Sequence, residues 1–165
     1  MSLGFRVSGR IGKPVADVFD AVVNPKKLSG YFTTVKGASA PLVAGTTVTW
    51  WGEVPVEVDA VEKDRRILLG WDATDEKGKP AYKTAIEMKF EALEDGGTLV
   101  SIAESGWQED AVGLKKSYTN CEGWTQMLAC MKAWLEYGIN LRDGYYLSEM
   151  KGEPARETDK ERKPS

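Results

Sequence analysis

Residues 46–105 alternate apolar and polar side chains in five successive segments separated by short turns. Because neighbouring side chains of a strand point to opposite faces, each segment predicts a strand with one dry and one wet face. Residues 82–93 show this most clearly, and the turn Asp95-Gly96-Gly97 that follows is typical of a tight hairpin. Residues 5–11 predict a further strand by the same pattern. Together the segments indicate an antiparallel sheet whose dry face needs a cover.

A long helix on the C-terminal side is predicted to be that cover. Apolar or small residues recur there every three or four positions: Trp124, Met127, Leu128, Met131, Trp134, Leu135, Gly138 and Leu141. Thr119 and Glu122 have the spacing of a capping box, and Gly144 suits a helix end, so we predict a helix over residues 120–142. At 1.5 Å per residue it is about 35 Å long, enough to cross a sheet.

The domain organisation follows from length and charge. A chain of 165 residues suits one domain, which we place at residues 1–146. Residues 147–165 are mostly charged and predict a flexible C-terminal tail. After the first predicted strand, Pro14 to Val22 has helical spacing, and Asn24-Pro25 ends that helix and begins a second short one. The predicted fold class is therefore α+β.

Several classes of chemistry are excluded by composition. The sequence contains no histidine, which rules out Ser-His-Asp triads, Cys-His dyads and His-bearing zinc sites. We predict no metal and no cofactor. The net charge of −3 and the lack of a basic stripe disfavour nucleic acid as a partner.

The two cysteines and the hydropathy suggest a compartment. Cys121 and Cys130 are nine positions apart on the predicted helix. That separation is about 13.5 Å, well beyond the roughly 7 Å between bridged Cα atoms. No apolar run reaches the roughly 20 residues of a membrane span, and the N-terminal residues do not have the pattern of a secretion signal. We therefore expect reduced thiols in a cytoplasmic protein.

The order of elements resembles the helix-grip fold of the START-like (SRPBCC, birch-pollen-allergen-like) superfamily, and within it the branch named for homologues of the activator of the heat-shock-protein-90 ATPase. Three stretches resemble the family's motifs: residues 14–22 with Asn24-Pro25, residues 98–102 with Ser105-Gly106-Trp107, and Gly123-Trp124 with Leu128, Met131, Leu135 and Glu136. The resemblance covers roughly residues 5–142. It implies a curved antiparallel sheet of about seven strands around a long C-terminal helix, with two short helices between the first two strands. The family's last strand often carries a residue such as His where Glu104 stands here.

The resemblance also implies an apolar cavity between sheet and helix, the usual setting for a small-molecule site. Candidate lining residues on the dry face of the strands are Trp50, Val56, Val58, Leu69, Trp71, Tyr82, Thr84, Ile86, Met88, Val100, Ile102 and Glu104. Candidates on the helix are Cys121, Trp124, Leu128 and Met131. The alternative for each is a plain core residue that closes the space.

Glu104 is the sharpest individual candidate for chemistry. Counting from Val100 and Ile102 places its carboxylate on the dry face, where it is costly unless paired or protonated. There it could bind a ligand's polar group or transfer a proton; the alternative is a position at the rim of the sheet, in water. Tyr82 and Thr84 offer hydroxyls on the same face, with sheet packing as the alternative.

Three functions are compatible with these features. The first is binding or carriage of a small hydrophobic or aromatic molecule, lipids included. The second is a small cyclase, dehydratase or hydrolase type of enzyme that uses Glu104 in a dry pocket. The third is an interaction module for a protein partner such as a chaperone, as the family's name suggests.

Overall fold

The structure, a computed structural model, describes residues 2–150. In chain order the elements are β1 (Leu3–Ile11), α1 (Val15–Val23), α2 (Pro25–Tyr31), β2 (Thr47–Trp50), β3 (Val54–Glu62), β4 (Arg66–Thr74), β5 (Pro80–Ala92), β6 (Thr98–Trp107) and α3 (Ala111–Tyr137). The strands form one antiparallel sheet in the order β1-β6-β5-β4-β3-β2. This confirms the predicted α+β helix-grip architecture.

The sheet has six strands in the described part of the chain, where the resemblance implied about seven. The segment between α2 and β2 makes only an isolated bridge, from Ala38 to Trp50. Gly37 and Gly45 take positive φ angles of 71° and 82° there, and Pro41 removes a backbone donor. These residues prevent a continuous ladder, so no seventh strand forms in this segment.

The beginning of α3 differs from the prediction. The helix starts at Ala111, where the Asp110 side chain accepts a 2.7 Å hydrogen bond from the Gly113 amide. The predicted capping box at Thr119 is wrong, because Thr119 lies inside the helix with its hydroxyl on the Lys115 carbonyl. Because residues 111–123 have no apolar stripe, the two additional helical turns at this end of α3 were not predicted. Cys121 is therefore in mid-helix and not in the first turn.

The end of α3 also lies earlier than predicted. Gly138, in the left-handed conformation with φ 68°, ends the helix where Gly144 was expected to do so. Residues 138–150 then fold back beside the helix in a series of turns. Most of the tail predicted at residues 147–165 lies outside the described residues.

The core lies between the dry face of the sheet and α3, with α1 and α2 closing one side. Its fully buried members include Ile67, Leu69, Ile86, Met88, Ile102, Met127 and Met131. On β5 the side chains of Thr84, Ile86, Met88 and Phe90 are all buried, as the alternation predicted. The buried residues of α3 from Trp124 onward face this layer.

Both cysteines lie on α3 and are free, as predicted from their spacing. Cys130 is buried, and desolvation raises the pKa of its thiol. No helix among residues 2–150 combines the length and the apolar character that crossing a bilayer demands.

Candidate functional site

A cavity of about 510 Å³ lies at one end of the sheet, between the ends of β4 and β6 and the first half of α3. This volume falls within the roughly 300–1,000 Å³ of small-molecule sites. Its walls are formed by Phe32, Trp51, Val54, Trp71, Asp72, Ala73, Thr74, Trp107, Lys116, Thr119, Asn120, Gly123, Trp124, Arg142 and Tyr146.

Aromatic rings form most of the apolar wall. Trp71 and Trp124 stack with ring centroids 5.3 Å apart and planes inclined by 22°. Phe32 also stacks with Trp124, with ring centroids 5.7 Å apart, and Trp51 meets Phe32 edge-on at 4.9 Å. Trp50 completes the cluster from inside the core, 6.2 Å from Trp71. Flat rings from β2, β4 and α3, together with Phe32 just after α2, thus meet at this end of the sheet.

Glu104 lies behind this wall and organises it. Its side chain is fully buried, so it is not at the rim of the sheet. The indole N–H groups of Trp71 and Trp124 each donate to it at 2.8 Å, one to each carboxylate oxygen. The Thr84 hydroxyl donates at 2.6 Å, and the Asn120 amide reaches both oxygens at 3.2 and 3.1 Å. One carboxylate therefore sets the orientation of both stacked indoles.

The hydrogen bonds to Glu104 suit an ionised carboxylate, because both oxygens act as acceptors and indole N–H groups can only donate. Among residues 2–150 it has no ion-pair partner. Burying an ionised carboxylate costs several kcal/mol. Charge-assisted hydrogen bonds, about twice as strong as neutral ones, offset that cost here. Both oxygens of the Glu104 carboxylate are thus already engaged by donors from the protein.

A polar corner faces the cavity from α3 and the end of β4. The Lys116 ammonium donates to the carbonyl oxygens of Thr74 and Asp75, each at 2.6 Å, and to the Thr74 hydroxyl. These contacts join α3 to the β4–β5 turn across 42 positions of the chain. Asn120 lies on the same face of the helix, one turn further on.

Arg142 covers the cavity from the segment after α3. Its guanidinium carbon is 5.1 Å from the ring centroid of Phe32, 5.3 Å from that of Trp51 and 5.0 Å from that of Tyr146. Such distances are typical of cation–π contacts. Glu149 accepts a hydrogen bond from the same guanidinium. Burial raises the pKa of the Tyr146 phenol, with Arg142 opposing that rise.

The structure places two of the sixteen predicted pocket residues, Trp71 and Trp124, on the cavity wall. Thr84 and Glu104 lie directly behind it. The rest of the buried candidates fill the core and do not line the cavity: Trp50, Val56, Val58, Leu69, Ile86, Met88, Val100, Ile102, Leu128 and Met131. Tyr82 and Cys121 are half-buried, and the Tyr82 hydroxyl accepts from the Gln108 amide at 3.2 Å.

Several wall residues were not identified from the sequence. Lys116, Thr119 and Asn120 were missed because the first half of α3 reads as a polar turn. Arg142 and Tyr146 follow the helix and have no periodic pattern. The available signal for the aromatic wall was the adjacent pair Trp50-Trp51. Alternation along a strand predicts one ring on each face, but Trp51 follows the end of β2 with a φ of 51°, and both rings pack on Phe32. No cluster of metal-ligating residues exists in residues 2–150.

Comparison with known proteins gives one family and a set of related folds. Residues 13–136 match the family described as Activator of Hsp90 ATPase homolog 1-like protein. The protein SSP2350 from Staphylococcus saprophyticus has a similar structure, with 26% identity and a TM-score of 0.70, over 85% of this chain and 96% of that one. CalU16 from Micromonospora echinospora is 19% identical with a TM-score of 0.64, over 84% and 78% of the two chains.

A third similar structure is the Aha1 dimer from Colwellia psychrerythraea. It is 18% identical with a TM-score of 0.65, over 82% of this chain and 98% of that one. At identities below 25%, this structure and CalU16 establish the shared fold only. No curated protein sequence matches the chain.

Proposed function

We propose that this chain, which belongs to the family of Activator of Hsp90 ATPase homolog 1-like proteins, binds a small aromatic or apolar molecule in the cavity between its sheet and α3. The membership agrees with the three motifs that resembled this family. The observation that carries the proposal is the cavity of about 510 Å³ with its aromatic wall. Pockets of this size that combine apolar walls with a few polar groups are the usual small-molecule sites.

The wall suits a flat ligand. Trp71, Trp124 and Phe32 are already stacked at 5.3 and 5.7 Å, so their orientations are compatible with a further ring placed against them. Aromatic pairs contribute about 0.5–1.5 kcal/mol beyond the burial of their surface. The Glu104 hydrogen bonds hold two of these rings in place before any ligand arrives, which lowers the entropic cost of binding.

Binding is favoured over catalysis by the state of Glu104. A general acid or base needs a reacting atom within about 2.6–3.2 Å of its carboxylate. Here four protein groups occupy both oxygens, and the side chain has no exposed surface. This geometry supports a positioning role for Glu104 and gives no support to proton transfer.

The proposal is tested by titrating the protein with N-phenyl-1-naphthylamine, a neutral aromatic probe that fluoresces in apolar surroundings. We expect saturable binding at one site per chain. In the variant Gly123→Leu, the new side chain is expected to fill the site and weaken binding at least tenfold. Gly123 lines the cavity, and a Cβ built on it meets no atom within 4 Å. Replacing a helical glycine with leucine also stabilises the helix, so the variant should fold.

The matched control is Thr125→Leu, an exposed position on the same helix. It adds similar apolar surface and is expected to leave the dissociation constant unchanged. Equal weakening in both variants, or an undiminished affinity in Gly123→Leu, would refute this cavity as the binding site.

A further inference from the structure

We infer that the ligand of this cavity is an aromatic anion, such as an arene carboxylate, whose negative group pairs with Lys116. This inference rests on the proposed function and adds the chemical class of the ligand. It follows from the charges of the wall and from the hydrogen bonds that those charges already make.

Lys116 is a half-buried cation on the cavity wall. Its three contacts are with uncharged oxygens, namely two carbonyl groups and one hydroxyl. Within residues 2–150 it has no carboxylate partner. Partly buried charges are normally balanced by an opposite charge. The contacts fix the position of the ammonium but do not neutralise it.

The other charged wall residues are balanced. Asp72 shares the ammonium of Lys83 with Glu57, at 3.2 and 2.7 Å, outside the cavity. Arg142 pairs with Glu149 and also lies over aromatic rings. Glu104, behind the wall, is held by neutral donors. Among the charged residues on the described part of the wall, Lys116 is therefore the one without an oppositely charged partner.

Two polar atoms beside Lys116 extend the same corner. The Thr74 hydroxyl oxygen accepts from Lys116, so its proton points elsewhere and is available to a ligand oxygen. The side-chain N–H groups of Asn120 donate to Glu104, which leaves the Asn120 side-chain carbonyl oxygen able to accept from a ligand hydroxyl. A flat acid could thus stack on the indoles and place its oxygens on Lys116 and Thr74.

The test compares two competitors of the same shape, 2-naphthoate and 2-naphthamide, in displacing N-phenyl-1-naphthylamine. The naphthoate carries a full negative charge, whereas the amide is neutral. For the wild type we expect the naphthoate to bind at least about tenfold more tightly, as hydrogen bonds to charged groups contribute more than neutral ones. Equal affinities, or tighter binding of the amide, would overturn the inference.

Lys116→Met removes the charge and keeps the apolar stem. We expect it to abolish the preference for naphthoate over naphthamide. The matched control is Lys115→Met, an exposed neighbour that does not line the cavity and should keep the preference. A preference that persists in Lys116→Met would also overturn the inference. If Lys116→Met does not fold, Thr74→Val provides a second variant, because it removes a hydroxyl from the cavity wall. We expect it to reduce the preference for naphthoate in part. An unchanged preference in this variant would count against the inference.

The outcomes separate the two proposals. If N-phenyl-1-naphthylamine, 2-naphthoate and 2-naphthamide all fail to bind, the proposed function fails. If N-phenyl-1-naphthylamine binds and Gly123→Leu blocks its binding, while 2-naphthoate and 2-naphthamide have equal affinities, the binding function stands. Only the anionic class of ligand is then wrong.

Discussion

The two ends of the sheet differ although the same strands and the same helix run through both. At one end, aliphatic side chains and methionines pack into a closed core. Two to four residues further along each element, the same face carries a large ring or a polar group beside an open cavity. The changes run from Leu69 to Trp71 on β4, from Ile86 to Thr84 on β5, from Ile102 to Glu104 on β6, and from Leu128 to Trp124 on α3.

This difference shows how a single dry face can serve two purposes. Flexible aliphatic chains adapt to one another and reach close packing. Indoles held by hydrogen bonds to a buried carboxylate cannot collapse into the neighbouring space, because moving them would leave N–H groups without an acceptor. We conclude that Glu104 contributes to keeping the cavity open.

The largest expected effect is in the packed end. Leu69→Ala should lower the free energy of unfolding by about 2–5 kcal/mol, through lost burial and a residual cavity. The affinity for N-phenyl-1-naphthylamine should stay within about twofold, because Leu69 does not line the cavity. Urea unfolding followed by circular dichroism measures the first quantity, and probe titration the second. A large loss of affinity in the folded variant would show that the two ends are not independent.

Compared with Leu69→Ala, the variant Glu104→Gln should have a smaller effect on stability and a larger effect on probe binding. The new amide nitrogen cannot accept, so one or more buried donors lose their partner, at about 1–3 kcal/mol in unfolding free energy. Binding of the neutral probe should weaken because the indoles lose their fixed orientation. Near-ultraviolet circular dichroism reports that orientation directly. An unchanged tryptophan spectrum together with normal affinity would contradict the positioning role.

Arg142→Ala tests the cover of the open end. Loss of its contacts with Phe32, Trp51 and Tyr146 should lower the unfolding free energy by about 0.5–2 kcal/mol. Because the Arg142 side chain then no longer covers the cavity, association and dissociation of the probe should both become faster in stopped-flow experiments. Arg65→Ala, at an exposed arginine in the β3–β4 turn that does not line the cavity, is the control. Rates equal to those of the wild type would show that Arg142 does not limit access.

The smallest effect is expected at an exposed carboxylate, in contrast with Glu104. The Arg10 guanidinium hydrogen-bonds to Asp95 and holds the pKa of that carboxyl below its usual value. The resulting stabilisation is present above the ordinary carboxyl pKa and is lost as the pH falls through the lowered value. Asp95→Asn should therefore lower the melting temperature slightly at neutral pH and low salt, and not at all in strong acid. A difference that is independent of pH would contradict this.

Much of the fold followed from the sequence because alternation and turn residues act locally. The strand β5 and the hairpin at Gly96 were predicted from these signals alone. The start of α3 was not, because residues 111–123 face a cavity and a polar corner and therefore lack the apolar stripe that marks a packed helix. A seventh strand was expected by resemblance and is absent from residues 2–150.

The site was only partly predictable for a related reason. Periodicity places Leu69 and Trp71 on one face of the sheet, but it does not show which of them packs in the core and which lines the cavity. The position of Glu104 on the dry face was correct, yet its four donors come from β4, β5 and α3 and meet only in the folded chain. Arg142 reaches the rings through a turn with no pattern of its own.

The most direct test of the open cavity is an NMR titration that follows the indole N–H signals of the six tryptophans. As N-phenyl-1-naphthylamine is added, we predict that the signals of the wall residues Trp51, Trp71, Trp107 and Trp124 shift together with one dissociation constant. Trp134, which packs on Tyr31 away from the wall, should not shift. If the wall signals stay in place, or if all six shift equally, the cavity is not the binding site.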